Sequence, residues 1–147
     1  TGSTLALVVL FIRSKVIYLK SLGKLSFIPG LFNINEPMIF GAPIVMNPIL
    51  AVPFILAPMV NTVVVYLFTI SGLIPRMMVK PPFTIPAPLG ALITTNWNLI
   101  ACGLVFICFF ISLAIYYPFF KVYAKKMLET QQAQQEEEEK AKLLADA

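Results

Sequence analysis

The chain has 147 residues, 59% of them hydrophobic and 12% charged, with a formal net charge of +4, whereas an ordinary soluble domain is roughly a quarter charged. This excludes a free-standing soluble enzyme and predicts an all-α integral membrane protein. The positive balance does not point to nucleic acid, because the basic residues sit in short clusters beside apolar stretches, where juxtamembrane lysines and arginines belong.

Residues 1–12 open with Thr1, Gly2 and Ser3 and run apolar to Ile12, without an initiator methionine or a small-residue cleavage site. A signal peptide would have a charged start and such a site. Twelve helical residues rise only about 18 Å, so they are expected to be the end of a transmembrane helix cut short in this chain. Residues 13–26 carry Arg13, Lys15, Lys20 and Lys24 and no acid. The positive-inside rule makes them a basic cytoplasmic loop.

Residues 27–47 are apolar overall yet contain Pro29, Gly30, Asn33, Asn35, Glu36, Pro37, Gly41, Pro43 and Asn47. Irregular backbone of this kind survives at membrane depth only where protein or a water-filled cavity surrounds it. A re-entrant hairpin is therefore predicted. It also keeps the number of full crossings even between the basic loop and the C-terminal tail, whose Lys121, Lys125 and Lys126 mark a second cytoplasmic segment.

Residues 49–72 make a good transmembrane helix, bent by Pro53 and Pro58, straight after Asn61, and stopped by Gly72 and Pro75. No charge lies between Glu36 and Arg76, a gap of 39 residues, or between Lys80 and Lys121, a gap of 40. Each gap accommodates a crossing of about 20 residues. Residues 73–96 hold Pro81, Pro82, Pro86 and Pro88 and are expected to form an external Pro-rich loop folded back over an interior chamber. Residues 97–117 form a second transmembrane helix, with Trp97 at one interface and Tyr116 and Tyr117 at the other. Residues 118–147 are expected to be a solvated cytoplasmic tail of helical propensity, with the Glu136–Glu139 run facing water.

Glu36 is the one acidic residue in the first 128. An ionised carboxylate at membrane depth costs several kcal/mol unless it is bonded or paired, so such groups are functional candidates. Pro37 suits the first turn of a helix, which would leave Glu36 at a helix N-terminus facing a cavity. The structural alternative is a carboxylate that caps backbone N–H groups. Carboxylates and carboxamides are natural acceptors for a ligand rich in hydroxyls, so Glu36, Asn35 and Asn33 form the candidate substrate site. Asn47 and Asn61 either line the same cavity or bond neighbouring helices. Arg76 and Lys80 read as interfacial anchors. Cys102 and Cys108 lie six apart in an apolar run, neither a metal nor a redox spacing. With no histidine in the chain, no cofactor or metal is expected, and IPGLFNINEP holds no phosphate-binding loop.

The stretch GKLSFIPGLFNINEPMIFG, followed by PIVMNPILAVPFILAP, the PFTIPAP loop and the YYPFFKVY ending, resembles the membrane-spanning IIC component of bacterial phosphotransferase systems, in the lactose, cellobiose and diacetylchitobiose family. The likeness runs from about Thr1 to Tyr123. It implies a homodimeric permease of ten spans and two re-entrant hairpins in the plasma membrane, of which this chain would be the C-terminal part, with its C-terminus cytoplasmic. It further implies that Glu36 of the NEP motif contacts a disaccharide, that a histidine from the other hairpin contributes, and that IIB and IIA phosphocarrier partners supply the phosphoryl group. The chain departs from the family at TTNWN, where relatives often carry a glycine and an acid before the tryptophan. Two other classes compete with this reading. An ion-coupled secondary sugar transporter would use Glu36 to titrate or to bind the ion, and a membrane assembly subunit would transport nothing.

Overall fold

Long apolar runs free of charge are committed to helix, since a helix satisfies its backbone hydrogen bonds within itself. The computed structural model describes residues 2–145. Along them lie α1 (Gly2–Ile12), α2 (Ile17–Leu31), α3 (Glu36–Gly41), a 3-10 turn at Ile44–Met46, α4 (Pro48–Ile70), α5 (Ala87–Thr94) and α6 (Leu99–Ala145); the described residues contain no strand. α4 has 23 residues and α6 has 47, giving lengths of about 35 and 70 Å. Both are long and apolar enough to cross a bilayer.

α4 and α6 run antiparallel. Asn61 of α4 meets Ser112 of α6, the C-terminal half of α4 packs Val64, Val65 and Phe68 around Ala101 and Leu104, and Ile49 lies with Phe119 and Val122 at the opposite end. α1 lies alongside α6 through Phe11, whose ring centroid is 5.7 Å from Phe120 and 6.2 Å from Tyr123. α2 returns antiparallel along α1, and the spacing of Leu19, Leu22, Gly23, Ser26 and Gly30 puts its buried stripe on one helical face. At Gly23 the two backbones approach so closely that an added Cβ would lie 2.7 Å from the Ile12 nitrogen.

Three segments differ from the sequence-based expectation in their secondary structure. Residues 13–26, expected as a loop, are helical from Ile17, because the stripe buried against α1 stabilises the helix while Lys20 and Lys24 project from the outer face. Residues 73–96, expected as an irregular loop, contain α5, with Pro88 in the first turn, where a missing N–H costs nothing. The helix of residues 97–117 begins at Leu99 and passes through Pro118 without a break into the expected tail. Phe120, Tyr123, Ala124 and Met127 still pack on the core formed with α1, so solvation of the helix begins about three turns later than Tyr117. The part of that tail at residues 146–147 lies outside the described residues.

Replacement of Gly23 by alanine should force α1 and α2 apart and destabilise the protein by about 1–3 kcal/mol, the usual cost of overpacking. Gly103→Ala, on an open face of α6 with nothing within 4 Å of the new methyl, should be neutral or stabilising by up to about 1 kcal/mol. Thermal unfolding in detergent compares the two; equal behaviour would refute the close α1–α2 contact.

Candidate functional site

The sequence PGLFNINEP reverses the chain at the end of α2. Asn33 takes a left-handed φ of 61°, a conformation that asparagine tolerates better than other side chains. Its N–H donates to the Gly30 carbonyl at 3.2 Å, and the Ile34 N–H donates to the Pro29 carbonyl at 3.0 Å. Together these form the paired closure that satisfies the last carbonyls of a helix, with asparagine in the place usually taken by glycine. Its side chain acts as well. Asn33 Nδ2 donates to the carbonyls of Ile85 at 2.8 Å and Phe83 at 3.3 Å, fastening the turn to the Pro-rich segment.

Asn35 precedes α3 without capping it through its side chain, because Asn35 Oδ1 accepts a hydrogen bond from Thr4 Oγ1 of α1 at 2.6 Å. Glu36 is the first residue of α3, with Pro37 next to it, so a negative charge lies at the positive end of a helical turn. α3 then runs back beside α2, where the Tyr18 hydroxyl donates to the Gly41 carbonyl at 2.6 Å. The arm is tight, since a Cβ at Gly41 would run into the Leu22 side chain.

A cavity of about 590 Å³ lies between α4, α5, α6 and the Pro-rich segment, within the usual range for small-molecule sites. Its polar lining is uncharged: Ser3, Asn33, Asn61, Thr62, Thr69, Thr94 and Thr95. Asn61 Nδ2 donates to Ser112 Oγ at 2.7 Å, while that hydroxyl donates to the Cys108 carbonyl at 2.8 Å. Ser112 spends its proton on the carbonyl, so it must receive one from Asn61, and this fixes the orientation of the amide. Asn61 Oδ1 is buried and has no hydrogen-bond partner among the described residues.

The sequence-derived candidates therefore separate. Asn33 and Asn61 border the cavity. Asn35 joins the hairpin turn to α1. Glu36 is exposed and is not part of the cavity wall, in contrast to the expectation that it faces one. Asn47 also lies outside the wall and caps α4, accepting from the Ile49 N–H at 3.1 Å. The threonines of α4 and α5 were missed because they sit in otherwise apolar or proline-rich runs. Their hydroxyls bond carbonyls four residues earlier, as with Thr94 to Gly90 and Thr95 to Ala91, both at 2.7 Å, so they pass unnoticed as helix residues.

The departure at TTNWN closes α5 in the manner of the first turn. Asn96 has φ 53°, and the Trp97 N–H donates to the Leu92 carbonyl at 2.8 Å. Asn98 Oδ1 then accepts from the Ile100 N–H at 2.8 Å, capping α6. Trp97 itself has φ 63°, which is strained for a bulky side chain, and is 72% exposed.

Asn33→Gly should keep the left-handed turn and lose only the bonds to Phe83 and Ile85, whereas Asn33→Ala should lose both and be less stable than the glycine variant by about 1–2 kcal/mol. Unfolding midpoints order the pair. Proteolysis of the Pro-rich segment should accelerate in both variants, since both release it.

The arrangement has counterparts among known proteins. The family model described as "Phosphotransferase system, EIIC" matches residues 1–58. The lactose-specific EIICB component of the phosphotransferase system from Lacticaseibacillus casei is 38% identical over 138 residues, covering 92% of this chain and 24% of the relative. The oligo-beta-mannoside-specific EIIC component from Bacillus subtilis (strain 168) is 43% identical over 142 residues, covering 92% of this chain and 31% of the relative. The crystal structure of the transporter ChbC, the IIC component from the N,N'-diacetylchitobiose-specific phosphotransferase system, superposes with a TM-score of 0.82 at 38% identity, covering 88% of this chain and 30% of that one. The chain thus spans from about a quarter to under a third of these relatives' length. With helical arrangement and sequence shared over nearly all of its own length, the chain belongs to the EIIC family of the phosphotransferase system.

Proposed function

We propose that this chain forms the NEP-bearing part of a sugar permease that translocates a disaccharide of the cellobiose, lactose or diacetylchitobiose class for phosphorylation by a IIB partner. The observation that carries the reading is the placement of the motif. The NINEP turn borders, through Asn33, a cavity of about 590 Å³ whose polar lining is uncharged, and Glu36 begins a helix three residues further on, outside that wall. The wall is mostly apolar and its polar groups are uncharged, which suits a neutral ligand, and the names of the relatives refer to sugars.

In this mechanism Glu36 accepts hydrogen bonds from sugar hydroxyls. Its free exposure in this chain leaves both oxygens available. Asn33 and Asn35 hold the turn with one end of each amide, Nδ2 of Asn33 and Oδ1 of Asn35, leaving Asn33 Oδ1 and Asn35 Nδ2 to orient the ligand. IIA passes its phosphoryl group to a cysteine of IIB, from which it is transferred to the sugar hydroxyl that Glu36 orients. The charged product cannot return. The permease acts as a homodimer in the bacterial plasma membrane with the C-terminal end of α6 cytoplasmic, which the basic residues Lys121, Lys125 and Lys126 support.

Glu36→Gln in the complete transporter should weaken cellobiose or diacetylchitobiose binding roughly ten- to a hundredfold, the worth of hydrogen bonds to a charged group, with sugar-phosphate formation falling in step. Unchanged binding by a folded variant would remove Glu36 from the site. Release of unmodified sugar that stops when the ion gradient is collapsed would instead establish ion-coupled transport. The double variant Cys102→Ser, Cys108→Ser should transport normally, although Cys108 borders the cavity; a folded but inactive double variant would show that transport needs a thiol.

A further inference from the structure

The N-terminal turn of α4 and the Pro118 region of α6 border a shallow apolar groove, open along one side and lined by Pro48, Ile49, Pro118, Phe119 and Val122. Val122 is 59% exposed there. The lining offers no hydrogen-bonding side chain, so the groove suits a hydrocarbon chain. Its position on α6 determines what stands next to it. At 100° per residue, Pro118, Phe119 and Val122 share one face of the helix. Lys125 and Lys126, three and four residues beyond Val122, flank that same face one turn further on.

These lysines are poorly compensated. Lys125 lies 3.9 Å from Glu129, but both side chains are largely solvent-exposed, and a pair of this kind contributes little. Lys126 has no carboxylate within ion-pair distance among the described residues. An apolar slot that opens after one helical turn onto two cations matches an amphiphile with a hydrocarbon tail and an anionic head. α6 is apolar enough to cross the bilayer, and a bilayer supplies such molecules. A partner helix would need a longer apolar groove and counter-charges spaced along it.

We propose that this groove holds an acyl chain of an anionic phospholipid whose headgroup is bound by Lys125 and Lys126. The site depends on α6 as a membrane span and is independent of the sugar site. A second basic cluster provides the internal control: Arg13 and Lys15, in the turn after α1, are exposed near the same end of the bundle, because Phe11 packs on Phe120 and Tyr123.

Native mass spectrometry of the full chain released from maltoside micelles, titrated with phosphatidylglycerol or phosphatidylcholine, tests the proposal. Phosphatidylglycerol should bind in preference. Lys125→Gln with Lys126→Gln should weaken it about thirtyfold, the combined effect of two interfacial lysines, and leave phosphatidylcholine unchanged. Val122→Trp should fill the groove and reduce binding of both lipids, while Arg13→Gln with Lys15→Gln should preserve the preference. The positions are exposed, and circular dichroism checks that helix content is retained. Equal binding of the two lipids, a preference that survives the Lys125 and Lys126 changes or disappears with the Arg13 and Lys15 changes, or indifference to Val122→Trp would each overturn the proposal.

Discussion

The reversal between Phe32 and Asn35 is the constraint from which the rest of the site follows. A helix entering apolar surroundings must satisfy its last carbonyls before it can stop, and α2 does so through the N–H groups of Asn33 and Ile34. The backbone is then free to turn, and the Asn33 side chain reaches out to Phe83 and Ile85. One residue thereby terminates a helix, aims the next one and anchors a segment 50 residues further along. Glu36 occupies its position because of that turn, and the Asn35–Thr4 bond prevents the turn from rotating about α2.

A second constraint joins the two long helices. Surfaces made of Leu, Val and Phe slide easily over one another, and in lipid they have no hydrophobic reason to associate. The chain Asn61 to Ser112 to the Cys108 carbonyl sets a single register between α4 and α6. It does so beside the cavity, so the polar groups that align the helices also form part of the cavity wall.

The legible features were those that rest on one segment at a time. α4 and the apolar part of α6 could be read from charge-free length, and the first-turn position of Glu36 from the proline that follows it. Features that depend on a second segment were not legible. α2 is a helix because Leu19, Leu22 and Ser26 find α1 opposite them, and four basic residues in the same stretch concealed that stripe. The length of α6 beyond Pro118 depends on Phe11 in the same way. Asn35 bonds a threonine 31 residues away, and no local pattern announces such a partner. Glu36 shows both sides: its helical position was readable, while its separation from the cavity depends on where the Asn33 turn directs the chain.

The uninterrupted course of α6 has a mechanical consequence. Its 47 residues form a rod of about 70 Å, clasped as far as Met127 by α4, α5 and α1 and projecting past them. A rod held at one end acts as a lever. A tilt of about 10° at the end bordering the cavity displaces the far tip by about 12 Å, from the rise of a straight helix alone, so a small rearrangement around the Asn61–Ser112 bond is magnified into a large movement of the charged C-terminal turns.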